Sequence, residues 1–294
     1  MCIRDRVLAA LTYRFIEQPI RRIDPARLRR TGLRLAGGLA ATALLALLTV
    51  ATYGFLFVYP PAVQALLVPL QPTQMELSEP AGGGRVIAAY GDSHAGHLLP
   101  GLLALEAREK FKVAEVNWWR CAPIGDVRPN DRRRCAEVTA ENAGVLARQK
   151  PAVVIIAAFW QHYPHLARLP DIVRALQGTG ARVVIVGPVP VWPKAPQMLL
   201  YDRFRADRAI PDRLPLPDTT TRDLDRQLRA AATAMGVVYV SLYDVLCDAG
   251  GCLARLGDTA ADIVQVDRTH LSDAASRYVV ERVAREILGD ISGR

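Results

Sequence analysis

A serine just past an apolar run, and an Asp-x-x-His pair near the far end of the chain, have the types and spacing for covalent acyl chemistry. The serine stands in Tyr90-Gly91-Asp92-Ser93-His94. The preceding run, 85–90, reads as a buried strand, and 98–110 reads as a helix. A serine at a strand-to-helix turn presents its hydroxyl to attack. The N–H groups at the helix start point into the same space, where an oxyanion would form. Such a hydroxyl needs a base. Asp267-Arg268-Thr269-His270 offers His270 as that base and Asp267 as the carboxylate that fixes its tautomer. The three-residue spacing lets both side chains face one way at a loop-to-helix junction. Helix capping is the plainer role for Asp92-Ser93. The two motifs together favour a serine hydrolase or transferase, with Ser93, Asp267 and His270 as the catalytic candidates.

Other reactive residues are weaker candidates. His94/His97 and His162/His165 form two H-x-x-H pairs. That spacing aligns two rings on a helix less well than i, i+4, so no metal is expected. Four cysteines fall in two close pairs, Cys121/Cys135 and Cys247/Cys252. Neither pair has C-x-x-C spacing, which argues for disulfides over zinc. Three connectivities are open, and neighbour pairing is the simplest. Cys247-Asp-Ala-Gly-Gly-Cys252 reads as a tight hairpin closed by its own bridge. Arg132-Arg133-Arg134 reads as a solvated turn that could meet an anionic glycan.

The elements that must position these residues alternate along the chain. Strand-like runs lie at 86–90, 112–118, 152–158, 181–186 and 237–240. Between them, amphipathic stretches at 98–110, 136–149, 166–177 and 221–235 read as helices. Ser272 caps a last helix running to 288. This alternation predicts an α/β fold with a parallel sheet covered on both faces. In such sheets, sites form beyond the carboxyl ends of the strands, and Ser93 falls just past the first. The stretch 189–218 contains six prolines and reads as a long loop over that edge.

Charge and hydropathy place the domain. The net charge is +8, but nine arginines and three acids fall within 1–34, and the rest nearly cancels. A local basic patch of this kind excludes a nucleic-acid-binding face and predicts no nucleic-acid partner. From Leu35 to Met75 there is no charged residue. The segment 35–59 is long enough for one transmembrane helix. The arginines before it keep 1–34 cytoplasmic and send the remainder outside, where disulfides are permitted. A cleaved signal peptide fits less well, because the apolar run is too long and its basic prelude too extended. Residues 60–84, rich in proline and ending in Gly82-Gly83-Gly84, read as a linker. The globular domain is expected over 85–294. Residues 1–6 fit no element. Residues 7–13 look like the tail of an apolar helix, so the chain reads as the C-terminal part of a larger membrane protein.

Gly91-Asp92-Ser93 with Asp267 and His270 resembles the SGNH (GDSL-like) hydrolase family. Ala95 stands where an α/β-hydrolase elbow has its second glycine, which excludes that alternative. The resemblance spans about 85–288. It implies a three-layer α/β/α domain and ester chemistry by Ser93, His270 and Asp267. The family draws oxyanion donors from a glycine after the second strand and an asparagine in a Gly-x-Asn after the third. Here those places read Val116-Asn117-Trp118-Trp119 and Ala158-Phe159-Trp160-Gln161-His162. Asn117, Trp160 and Gln161 are therefore the nearby donors, and only the Ser93 N–H carries over directly. Trp160 also reads as a packed core aromatic.

The leader extends the resemblance. Thr12-Tyr13-Arg14-Phe15-Ile16-Glu17-Gln18-Pro19-Ile20-Arg21-Arg22 is similar to the end of the last core helix of the membrane acyltransferase family 3 domain. In one branch an extra transmembrane helix leads to a periplasmic SGNH domain. Gly91-Asp92-Ser93-His94-Ala95, the Cys121 and Cys135 region, and Asp267-x-x-His270-Leu271-Ser272 suit that branch. The resemblance implies a bacterial inner-membrane protein with this domain in the periplasm. The activity implied is O-acyl transfer, chiefly acetyl, to a cell-surface carbohydrate such as lipopolysaccharide or another polysaccharide. The domain itself needs no cofactor. An acetyl-CoA-derived acyl donor would be handled by the membrane domain in cis, which this chain lacks. A carbohydrate O-acetyl esterase and a non-catalytic glycan-positioning module are the alternatives.

Overall fold

Five apolar runs become the strands of one parallel sheet. They are β1 (Arg85–Gly91), β2 (Phe111–Asn117), β3 (Val153–Ala157), β4 (Arg182–Val186) and β6 (Val238–Val240). The computed structural model describes residues 9–21, 25–52, 54, 56–68, 85–117, 132–163, 166–215 and 219–289. The chain divides into two units, Met1–Tyr59 and Pro60–Arg294.

In the first unit, helix α1 (Pro25–Ala51) starts well before the apolar run, because proline suits a first helical position and the following Ala, Leu and Arg favour helix. Its segment Gly32–Ala51 is long and apolar enough to cross a membrane. The Thr42, Thr49 and Thr52 hydroxyls donate to carbonyls one turn back, so none needs an outside partner. The helix stops at Ala51 rather than reaching Tyr59. Gly54, in the left-handed region at φ 73°, donates its N–H to the Thr49 carbonyl and closes the end.

The second unit opens with α2 (Pro61–Leu67), inside the segment expected to be a linker. Val63 and Leu66 on it are buried. The sheet order is β2-β1-β3-β4-β6. The strands at 181–186 and 237–240 form with small shifts at their ends. Between them come α3 (Leu99–Glu106), α4 (Arg132–Gln149), α5 (Leu169–Gly178), α6 (Pro196–Asp207) and α7 (Thr220–Ala234). Arg132-Arg133-Arg134 thus opens α4 rather than forming a turn. The proline-rich 189–218 is not all loop. Pro196 sits at the start of α6, where its missing N–H costs nothing, and Leu200 and Phe204 are buried.

Alternation along each strand separates two apolar layers. Ile87, Ala89, Val153 and Ile155 face a cluster with α3 and the C-terminal helices. Val86, Ala88, Val154 and Ile156 face a second cluster with α4, α5 and α7. The result is a three-layer α/β/α domain. Within the first layer, α3 crosses α8 (Asp273–Arg282) at very close range. A Cβ on Gly101 would lie 2.4 Å from the Ser276 carbonyl oxygen. The Gly101 N–H, unsatisfied within its own first helical turn, donates to Ser276 Oγ at 3.0 Å. The last helix is interrupted at Val283 and resumes as α9 (Ala284–Leu288). A small ribbon joins β5 (Arg213–Leu214), β8 (Gly251–Leu253) and β7 (Cys247–Asp248). Cys247 and Cys252 are bonded across its turn.

Candidate active site

The sheet order makes the carboxyl end of β1 a switch point. The chain leaves β1 toward β2 on one side, and β3 lies on the other. Gly91, the last residue of β1, pairs with Ala157 of β3. A Cβ there would meet the Ala157 carbonyl oxygen at 1.7 Å, so only glycine permits this approach. One helical turn, Ser93–Gly96, follows, with Asp92 as its N-cap.

Asp92 is buried and ties two loops together. Its Oδ1 accepts from the His94 N–H at 2.8 Å, and its Oδ2 accepts from the Phe159 N–H at 3.0 Å. Burial raises its pKa, partly offset by these hydrogen bonds. The loop leaving β3 is thereby fixed against the serine turn. The same bonds consume the His94 and Phe159 N–H groups. The Ser93 N–H, at the head of the turn, has no partner among the described residues and stays available to an oxyanion.

The distant Asp-x-x-His arrives at this turn. His270 Nε2 lies 2.8 Å from Ser93 Oγ, and His270 Nδ1 lies 2.7 Å from Asp267 Oδ2. With Nδ1–H donating to the carboxylate, Nε2 is left to accept the serine proton. Asp267 Oδ1 accepts the backbone N–H groups of Thr269 at 2.7 Å and His270 at 2.8 Å. Burial works to raise the Asp267 pKa, but the hydrogen bonds from the His270 ring and these two N–H groups, with the His270 charge, hold it well below the usual carboxylate range. The side chain of His270 is 32% exposed and that of Asp267 53%, so the site is open to solvent.

Three imidazoles share this space. The His94 ring centroid lies 4.9 Å from that of His270 and 4.7 Å from that of His97. His94 also stacks on Phe159. Burial, with the neighbouring His97 and His270, drives the His94 pKa well down. Burial and His270 do the same to His97. Both stay neutral at ordinary pH. His97 Nδ1 accepts the Leu271 N–H at 3.4 Å. His162 packs edge-on against Phe159, and His165 lies outside the described residues.

The three oxyanion candidates are not equivalent. Asn117 ends β2, and its side chain lies outside what is described. Trp160 is 1% exposed, its indole N–H donates to the Val186 carbonyl at 2.8 Å, and its backbone N–H donates to the Ala158 carbonyl at 2.8 Å. Those bonds leave it no donor to give, so Trp160 is a core residue and not an oxyanion ligand. Gln161, on the turn Trp160–His162, keeps a buried Nε2 with no hydrogen-bond partner among the described residues. Cys135 is disulfide-bonded, and Cys121 lies outside the described residues.

Sequence reasoning missed the loop clamp at Asp92 and the contacts of Trp192, Gln265 and Arg268 behind the Asp267–His270 loop. Gln265 carried a signal: it is the one polar residue in Ile263-Val264-Gln265-Val266.

Comparison with known proteins agrees with this architecture. The sequence profile of a domain described as "SGNH domain (fused to AT3 domains)" matches residues 71–285. Among solved structures, the periplasmic domain of a lipopolysaccharide acetyltransferase from Salmonella ser. Paratyphi A aligns with a TM-score of 0.65 at 21% identity. That alignment covers 70% of this chain and 84% of the other. TesA aligns with a TM-score of 0.43 at 16% identity, over 70% of this chain and 98% of its own. No curated protein matches the chain.

Proposed function

Because the chain belongs to the family of SGNH domains fused to AT3 domains, we propose that it transfers an acyl group, chiefly acetyl, to a cell-surface carbohydrate hydroxyl. The hydrogen-bonded run Ser93–His270–Asp267 at the switch point is the observation that carries this reading. Helix α1 anchors the domain in the inner membrane, with the domain in the periplasm. An AT3 membrane domain in cis delivers an acetyl group derived from acetyl-CoA.

Ser93 Oγ attacks the acyl carbonyl as His270 Nε2 takes its proton. The resulting imidazolium is stabilised by Asp267. The tetrahedral oxyanion forms beside the Ser93 N–H, and Gln161, on the loop that Asp92 ties to the serine turn, is the candidate for a second donor. Collapse breaks the bond to the donor's leaving group, which receives the proton from His270. An acyl-Ser93 ester remains. A sugar hydroxyl then loses its proton to His270 and attacks the ester. Ser93 leaves with that proton, and the acylated sugar departs.

The exposure of His270 and Asp267 also admits water as acceptor, so a carbohydrate O-acetyl esterase is the second reading. One experiment addresses both. One sample of the full chain in detergent is labelled with a fluorophosphonate, and a separate unlabelled sample is assayed for acetyl release from an activated acetyl ester with and without candidate sugars. Labelling of the wild type but not of Ser93→Ala, with acetyl appearing on the sugar, is expected. Hydrolysis alone makes it an esterase. Absence of labelling leaves only the glycan-positioning alternative.

A further inference from the structure

The residues carrying Asp267 and His270 do not belong to the parallel sheet. Residues 265–271 form a loop pinched by a bridge between Gln265 and Leu271 and by the Val266 N–H donating to the His270 carbonyl. Those contacts shape the loop but do not set its distance from Ser93. A second set of bonds reaches it from residues 190–192, which follow β4. The Trp192 indole N–H donates to Gln265 Oε1 at 2.6 Å. Gln265 Nε2 donates to the Pro190 carbonyl at 3.0 Å and to the Arg268 carbonyl at 3.4 Å. The Trp192 backbone N–H donates to the Arg268 carbonyl at 3.0 Å, and Arg268 Nε returns a bond to the Trp192 carbonyl at 2.6 Å.

Trp192 is 1% exposed and Gln265 fully buried. A buried amide satisfied at both ends specifies one arrangement, because every alternative leaves a polar group dry and unpaired. We infer that Trp192 and Gln265 are positioning residues that brace the Asp267–His270 loop against β4 and so hold His270 Nε2 at hydrogen-bond reach of Ser93. This rests on the Ser93–His270–Asp267 reading above. The brace explains how a solvent-open base keeps a single orientation. It links the base to the sheet that carries the nucleophile, so both are referred to one rigid frame.

The test uses the full chain in detergent and follows the rate of fluorophosphonate inactivation. Trp192→Phe keeps most of the ring volume and removes the indole donor. Gln265→Met keeps the length of the side chain and removes its polar atoms. Each is expected to lower the limiting inactivation rate by about 10- to 100-fold, as for a small misplacement of a catalytic group. The concentration for half-maximal rate is expected to stay within about threefold, because the residues lie behind the loop and not in the substrate path. Leu228→Ala, in the other apolar layer, serves as the control: it should lower thermal stability yet leave the limiting rate unchanged at temperatures where the protein is folded.

Unchanged limiting rates in both variants overturn the brace. So does a loss that merely tracks the fall in stability seen with Leu228→Ala. A wild type that is not inactivated at all overturns the serine reading itself, which separates the two failures.

Discussion

Replacing Gly91 by alanine probes the geometry on which the site depends. The added Cβ would lie 1.7 Å from the Ala157 carbonyl oxygen, 2.9 Å from its carbon and 3.0 Å from Ala95 Cβ. The first contact involves backbone, so no side-chain rotation relieves it. Bringing it to the shortest separation real Cβ atoms tolerate requires β1 and β3 to part by roughly 1.3 Å, in an interior with little free volume. Overpacking of this severity costs about 3 kcal/mol or more. For a domain of this size that lowers Tm by about 6–12 °C. The same movement pulls the Asp92 carboxylate from the Phe159 N–H and displaces Ser93 from His270. A displacement near 1 Å predicts a fall in Ser93 labelling of about 100-fold at temperatures well below Tm. Differential scanning fluorimetry and fluorophosphonate labelling of the full chain measure the two effects. Gly178→Ala is the control, because nothing lies within 4 Å of its Cβ position. A Gly91→Ala protein with the melting temperature and labelling rate of the wild type would refute the close-approach reasoning.

Further outcomes are expected. Asp267→Asn should lower Ser93 labelling by about 10³- to 10⁴-fold, since the amide cannot hold the same His270 tautomer; labelling kinetics that barely change would detach Asp267 from the site. Gln161→Ala should lower acetyl transfer by about 10²-fold, as for the loss of one oxyanion donor. Trp160→Phe should instead cost about 1–3 kcal/mol of stability by orphaning the Val186 carbonyl, with labelling within about threefold; the reverse pattern in turnover and melting assays would exchange their roles. Stability should fall as pH drops below about 6.5, because His94 and His97 take up protons freely when unfolded but resist them when folded. The buried, neutral rings therefore contribute stability that is present above the unfolded value and lost on acidification. His94→Phe should flatten Tm between pH 7 and 5, and an unflattened profile would count against a neutral buried His94. Asp267 has the same sign at lower pH: its stabilisation is present above about 3.9 and lost as acid takes the folded carboxylate through its depressed value.

Much of the fold was written locally. Continuous apolar runs such as Val153-Val154-Ile155-Ile156 can be satisfied only between two helical layers. The five strands, the Ser272 cap and the Cys247–Cys252 hairpin follow from short-range chemistry. Where periodicity was weak or proline misleading, local signals failed. Helix α6 was hidden by prolines, one of which opens it, and α2 lay in a stretch whose composition resembled a linker.

The site divides along the same line. Residue types alone made Ser93, Asp267 and His270 the candidates, because few combinations perform acyl chemistry and their spacing matched a turn and a loop. Their meeting was a matter of tertiary structure, since 177 positions separate Ser93 from His270 and only folding brings Oγ and Nε2 to 2.8 Å. The donors could not be sorted from sequence either. Trp160 and Gln161 are neighbours and both candidates by residue type, with Trp160 also open to a core role. Whether an N–H is free depends on what packs against it, and the Val186 carbonyl reaches one but not the other. Hydrogen-bond supply is fixed by residue identity; its allocation is fixed by the partners that the fold brings near.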